Sequence, residues 1–302
     1  MIYKYGKWVQ MHQIYEGFVF RPPSEARSLI LQVTIGCSHN KCTFCVTYRD
    51  KKFRIKSCED IKSDVEHVLP YYRRTKRIFL ADGNALVLKT EKLLKILALL
   101  KESFPELERI GIYACPQDIL RKSVSELKEL KNAGLGIIYI GLESGSDEIL
   151  KNVKKGVTSE QMIEAANKVK EAGLTLSVIF ILGLGGKEYS KEHATKTGEI
   201  LSKMDPDYIG ALTLMVIKGT EIYEEVKAGK LELLEPRDVF EELKLLIDNL
   251  DVSNCIFRAN HASNYLPVGG TLPFDKQEML QKIEKILNME DVSFKPEWLR
   301  AL

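Results

Sequence analysis

Six short apolar segments recur through the first two-thirds of the chain, each followed by a run with helical spacing of its apolar residues. The segments are 28–36 (SLILQVTIG), 77–81 (RIFLA), 109–114 (RIGIYA), 136–142 (GIIYIGL), 174–182 (LTLSVIFIL) and 207–216. The runs between them predict helices over 58–73, 90–104, 118–133, 159–172 and 187–204. Parallel neighbours need a crossover connection, and an alternation of strand and helix supplies one each time. Strands that are apolar throughout suit a sheet covered on both faces, or the wall of a curled barrel. Six units fall short of the eight of a closed barrel, so the pattern alone leaves an open sheet or a partial barrel. In both, the loops after the strands share one edge, where ligands bind. Beyond the sixth strand, helices are predicted over 221–228, 237–248 and 275–287, with a polar stretch over 257–265.

Charge and composition remove several functions. The 44 Lys and Arg nearly cancel the 42 Asp and Glu, which argues against a strongly basic nucleic-acid binder. An apolar fraction of 45% and a charged fraction of 28% are those of a globular protein. No apolar run approaches the ~18 residues that cross a bilayer, and Met1 to Phe18 does not read as a signal peptide. The expectation is a soluble cytoplasmic protein, in which cysteines stay as thiols.

Three of the six cysteines crowd into one loop after the first strand: Cys37-Ser-His-Asn-Lys-Cys42-Thr-Phe-Cys45, or C-x4-C-x2-C. Thiolates are soft ligands that suit iron–sulfur clusters and zinc. Structural zinc wants a fourth ligand, and His39 is the only local candidate. Three cysteines hold three irons of a [4Fe–4S] cube and leave the fourth open.

Here the chain resembles the radical S-adenosylmethionine (radical SAM) superfamily, in the subgroup of the Elongator catalytic subunit, with methylthiotransferases and coproporphyrinogen dehydrogenases. That family's loop is C-x3-C-x2-C with an aromatic before the third cysteine; Phe44 matches the aromatic, and the spacing here is one residue longer. Asp82-Gly83-Asn84 falls where the family has Gly-Gly-Glu. Tyr139 to Gly145 (YIGLESG) is similar to its Gly-x-Glu-Ser-Gly segment, the exit 180–186 (FILGLGG) to its glycine turn, and 215–220 (MVIKGT) to a later backbone contact. The resemblance implies an α/β fold, a partial (β/α)6 barrel of parallel strands with a C-terminal helical and loop extension. It implies a [4Fe–4S] cluster on Cys37, Cys42 and Cys45, and S-adenosylmethionine bound by Phe44, Asp82, Asn84, Glu143, Gly183 and Val216. It implies reductive cleavage of that cofactor to a 5′-deoxyadenosyl radical, which abstracts hydrogen from a substrate, and an oxygen-sensitive centre. The competing reading is a cysteine-ligated zinc or electron-carrier protein. The division expected is an N-terminal extension over 1–27, the barrel over 28–235, and an extension over 236–302 that covers the barrel edge. No cobalamin domain is expected before the barrel and no RNA-binding domain after it.

The substrate side is less marked. Cys115, Gln117 and Asp118 follow the third strand at the ligand edge. Arg258, Asn260, His261, Asn264 and Tyr265 crowd nine residues; a guanidinium offers a fork to a carboxylate or phosphate, and His261 titrates near neutrality. Cys115, Arg258, His261 and Tyr265 are the catalytic candidates, against a plain polar loop. Cys58, Cys115 and Cys255 are three further thiols, read as small buried hydrophobes against the alternative of ligands to a second cluster. The stretch 21–25 is expected to close the barrel's other end. The basic stretches 49–54 and 73–77 read as solvated faces. A small-molecule substrate is favoured over a macromolecule, nucleic acid included, with a flavodoxin- or ferredoxin-type electron donor and no membrane.

Overall fold

The computed structural model describes residues 14–301; the expectation for Met1 to Gln13 lies outside them. The strands are β1 (Leu29–Gln32), β2 (Thr34–Ile35), β3 (Arg54–Ile55), β4 (Arg77–Ala81), β5 (Arg109–Ala114), β6 (Leu135–Glu143), β7 (Thr175–Leu182), β8 (Tyr208–Thr213), β9 (Cys255–Ala259) and β10 (Val268–Leu272). The helices are α1 (Cys58–Tyr72), α2 (Thr90–Ser103), α3 (Pro116–Leu120), α4 (Val124–Asn132), α5 (Asp147–Asn152), α6 (Ser159–Glu171), α7 (Gly186–Met204), α8 (Glu221–Lys227), α9 (Pro236–Asp248) and α10 (Lys276–Asn288).

One eight-stranded sheet runs β1-β4-β5-β6-β7-β8-β9-β10. Its members are parallel as far as β9, and β10 returns antiparallel. The six expected parallel strands are all present, in the expected order. The polar stretch after α9 is different from the sequence reading: residues 255–259 are a strand that continues the parallel set beside β8. Five residues alternating buried and open carry too short a signal to stand out from a loop.

Two further departures bear on the site. The first apolar run is not one strand. It leaves the sheet at Val33, whose amide donates to Ala81 O, and Thr34–Ile35 then pair antiparallel with Arg54–Ile55. The cysteine loop is therefore closed at its base by a two-strand clip. The expected helix 118–133 is two helices, because Ser123 caps α4 in a reciprocal box with Glu126.

The sheet's two faces are distinct. One packs Leu31, Leu80, Ile112, Ile140, Val178, Ile209 and Phe257 against the helices. The other is concave and gathers Ile30, Phe79, Ala81, Ile137 and Tyr139, joined by Tyr113 and Tyr208. Phe79, Tyr113 and Tyr139 meet edge to face, with centroids 4.8 to 6.1 Å apart. At the strand starts, a 3-10 turn over Pro23–Glu25 inserts the fully buried Glu25, which accepts from Arg109, Tyr139 OH and Ser28 Oγ. Residues 21–25 thus close the far end of the barrel, as expected.

Candidate active site

The cysteine loop lies over the carboxyl ends of the strands. Gly36 starts it with φ +76°, a conformation that favours glycine. Gly83 gives it a seat: a Cβ there would lie 2.7 Å from Cys37 Cβ and 2.9 Å from the Tyr48 ring. Arg49 staples its far side, donating to the carbonyls of Cys42 (2.7 Å) and Cys45 (3.1 Å). Thr43 N donates to Val153 O (3.0 Å), and His39 Nε2 bonds Lys154 O at 2.7 Å. The loop after α5 therefore grips the cysteine loop.

That grip delivers Lys155. Its ammonium is buried and lies 2.7 Å from Glu143 Oε1. Burial disfavours the charge, but Glu143 and the nearby thiols of Cys42 and Cys115 outweigh it and hold Lys155 above the ordinary lysine value. Glu143 is aimed by an irregularity in β6: the register with β7 shifts between Gly141 and Glu143, and Glu143 has φ +65°.

The thiols sit in unlike surroundings. A hydrogen bond from the Cys115 thiol holds Cys37 below the usual thiol range against the effect of burial, helped by the amides of His39 and Asn40 and by Lys155. Burial pushes Cys42 up to about 11, with Lys155 opposing, and raises Cys45. Among the described residues no three His, Cys, Asp or Glu side chains converge on a single metal ion. The donor set is three soft thiols on one clipped loop, beside a buried cation that offsets thiolate charge. This set fits a cluster that takes one thiolate per iron.

The exit of β4 splits into two roles. Asp82 is fully buried; its Oδ2 accepts from Lys51 (2.8 Å), Gln32 (3.0 Å) and Gly36 N (3.2 Å), while Oδ1 has no partner. Burial raises its pKa, with Lys51 opposing. Asn84 is saturated instead: it accepts from Ser38 N (2.9 Å) and donates to Ser38 Oγ (2.7 Å) and Asp118 Oδ2 (2.8 Å). Asp118 also accepts from Cys115 N. Asn84 thus ties the loop to the exit of β5.

Phe44 and Val216 both pack against an apolar patch with Ile149, Leu184 and Leu214 beside the Gly183 turn. Arg258 pairs in register with Gly210 and Gly269, which puts it on the concave face and exposed. Its Nη1 donates to Phe257 O and Gly270 O. Three other side chains of that stretch are held by neighbours. Asn264 bonds Thr213 Oγ1 and Ala211 O. Tyr265 donates to Glu297 and lies under Arg300, 4.3 Å from the ring centroid. His261 Nδ1 is held by Ser263.

The reading of 49–54 as a solvated face is corrected: Arg49 binds the cysteine loop and Lys51 is buried on Asp82 with a side chain only 5% exposed. Charge runs look alike whether solvated or folded inward. Stretch 73–77 is solvated, with Arg74 and Lys76 in exposed pairs. Lys155 was also missed; it lies in a two-lysine run whose partner is fixed only in three dimensions.

A profile of the Radical SAM superfamily matches residues 31–196, more than half of the chain. The chain belongs to the radical SAM superfamily. A putative methylthiotransferase of Methanocaldococcus jannaschii is 29% identical over 153 residues, 49% of this chain and 33% of that protein. A tRNA uridine(34) acetyltransferase of Methanocaldococcus infernus is 29% identical over 121 residues, 39% of this chain and 22% of that protein. The chain spans a third or less of the length of these relatives. Among solved structures, the Escherichia coli coproporphyrinogen III oxidase HemN superposes with a TM-score of 0.56 at 18% identity, over 80% of this chain and 54% of that one. This likeness supports the partial barrel. No helix among the described residues is long and apolar enough to cross a membrane.

Proposed function

We propose that this chain is a radical SAM enzyme that holds a [4Fe–4S] cluster on Cys37, Cys42 and Cys45 and reductively cleaves S-adenosylmethionine beside it. One observation carries the reading: the three-thiol loop and the buried Glu143–Lys155 pair meet at the same edge of a parallel barrel. Bound there, cluster and cofactor supply one-electron cleavage of a sulfonium and a carbon radical that takes hydrogen from the substrate.

The protein's own groups divide the remaining work. Lys155 offers a buried ammonium to the cofactor carboxylate, and Asp82 Oδ1 is a free acceptor for its amine. Phe44, Leu184 and Val216 wall the nucleoside end, beside the Gly183 turn. The concave face of Phe79, Ile137, Tyr113 and Tyr139 keeps water from the radical, above an end sealed by Glu25. Arg258 presents a guanidinium to a carboxylate or phosphate of a small-molecule substrate. Cys115, against Cys37, faces the same space. We place the enzyme in the reducing cytosol, with a flavodoxin- or ferredoxin-type donor.

Anaerobic reconstitution tests the reading. Expected are about four irons with matching sulfide per chain, the content of one such cluster, and slow 5′-deoxyadenosine release with dithionite and S-adenosylmethionine. Stoichiometric zinc without sulfide overturns it. Tight, salt-dependent binding of tRNA would replace the small-molecule substrate with RNA.

A further inference from the structure

Beneath the cofactor edge, on the helix-covered side of the sheet, lies a buried polar network that the chemistry above does not use. Glu242, on α9, is 2% exposed. Its Oε1 accepts from Gly183 N at 2.7 Å, and its Oε2 accepts from Ser190 Oγ, on α7, at 2.6 Å. Gly183 has φ +78° and opens a turn whose own Gly186 amide returns to Gly183 O. The Gly183 amide would be a buried orphan without the carboxylate, and such orphans are rare.

The network continues to the next strand exit. His193, fully buried on α7, lies with Nε2 3.0 Å from Ile181 O and 3.7 Å from Glu242 Oε1. A carbonyl can only accept, so Nε2 carries the proton toward Ile181 O. Nδ1 lies 2.8 Å from Ser144 Oγ, within hydrogen-bond reach. Ser144 Oγ accepts from Ser146 N, and Gly145 N donates to Thr197 Oγ1 at 2.9 Å. Gly145 leaves no room for a side chain, since a Cβ would lie 2.3 Å from Lys196 O. Two sets of hydrogen bonds thus meet on α7: Glu242 of α9 grips the Gly183 turn and Ser190, and His193 and Thr197 grip Ile181 O and the residues directly after Glu143.

A buried carboxylate is a poor choice for stability alone, because a well-packed apolar residue of similar volume often does as well or better. Here it joins one strand exit to the helix that holds the other. We propose that Glu242 is a positioning residue for the cofactor: it fixes the Gly183 turn directly and, through Ser190, the α7 helix whose His193 and Thr197 hold the exit after Glu143. The cofactor site is therefore completed by a helix beyond the region the superfamily profile matches. The proposal rests on the function proposed above.

Two variants and two measurements test it. In cluster-free protein, Glu242→Ala should speed hydrogen exchange of residues 182–186 and 143–146 by about tenfold or more while α9 keeps its protection. Glu242→Gln, which retains an acceptor for Gly183, should stay near wild type. In cluster-loaded protein, Glu242→Ala should keep its iron and weaken S-adenosylmethionine binding about tenfold, because binding must then order a Gly183 turn that has lost its hydrogen bond to a charged group. Glu242→Gln should lose less than about threefold, less than one tenfold step. Unchanged affinity and exchange in Glu242→Ala would overturn the proposal. Loss of protection throughout α9 in that variant, with equal loss of affinity in Glu242→Gln, would overturn it in favour of a packing role. Wild-type protein that loads iron yet binds no S-adenosylmethionine would overturn the functional reading, and the cofactor role of Glu242 with it.

Discussion

The carboxylate of Glu143 lies across Gly141: a Cβ at position 141 would sit 2.0 Å from Oε1 and 3.1 Å from Lys155 Nζ. Any side chain at 141 must displace the ion pair. Gly141→Ala should weaken S-adenosylmethionine binding about ten- to hundredfold, as should Glu143→Ala, since a hydrogen bond to a charged group contributes roughly 1.5–3 kcal/mol. Equilibrium dialysis with reconstituted protein measures it. Iron content should stay at the wild-type level in both.

The cysteines should separate cleanly by iron analysis. Cys42→Ala should load no cluster. Cys58→Ala and Cys255→Ala should load as wild type, because Cys58 begins α1 and Cys255 is buried in the outer core. A loss of about half the iron in either would require a second cluster of similar size.

Arg49 places a cation over the Cys42 and Cys45 carbonyls. A nearby positive charge favours the reduced, more negative cluster. Arg49→Ala should therefore move the midpoint potential to a more negative value in a dithionite titration followed by electron paramagnetic resonance. It should also raise the alkylation rate of the loop cysteines in the cluster-free protein. Arg49→Lys keeps a charge but not the two-pronged geometry, so it should retain the potential and still show faster alkylation.

Glu25 holds the far end of the barrel. Glu25→Ala leaves Arg109 without its buried partner and should cost about 3–5 kcal/mol in urea unfolding. The Arg109 side chain is 27% exposed and can reach water, so the lower end of that range is expected. Cysteine alkylation in the folded, cluster-free protein should be unchanged, because Glu25 lies at the strand starts.

On the substrate side, Arg258→Ala should retain iron and uncoupled 5′-deoxyadenosine release but lose turnover of a carboxylate- or phosphate-bearing substrate. His261→Ala should have little effect on either, because its Nδ1 is already engaged with Ser263. Product assays with candidate acids decide between them.

The parts of the fold that could be read from sequence are those set by local periodicity. The strands at 77–81 and 109–114 coincide with β4 and β5, because apolar runs between helices have one stable use. Cys37, Cys42 and Cys45 were legible because thiols crowded on one loop have few other roles. Lys155, Lys51 and Glu242 were not legible. Each owes its burial to a partner 12, 31 or 59 positions away, respectively Glu143, Asp82 and Gly183. Spacing rules do not reach that far. Arg258 was singled out by composition, but its place on the concave face follows from pairing with Gly210, which a five-residue strand does not advertise.

The two-strand clip of Thr34–Ile35 with Arg54–Ile55 has a bearing on how the protein meets oxygen. Most of the entropy lost on closing the cysteine loop is lost when the barrel folds, not when iron arrives. The metal is then a guest of a finished scaffold, unlike the zinc of domains that unfold without it. Bleaching in air should leave circular dichroism and urea midpoint close to those of the loaded protein, and fresh iron and sulfide should restore colour without a refolding step. A cell would then repair such a chain by recharging it rather than by making another.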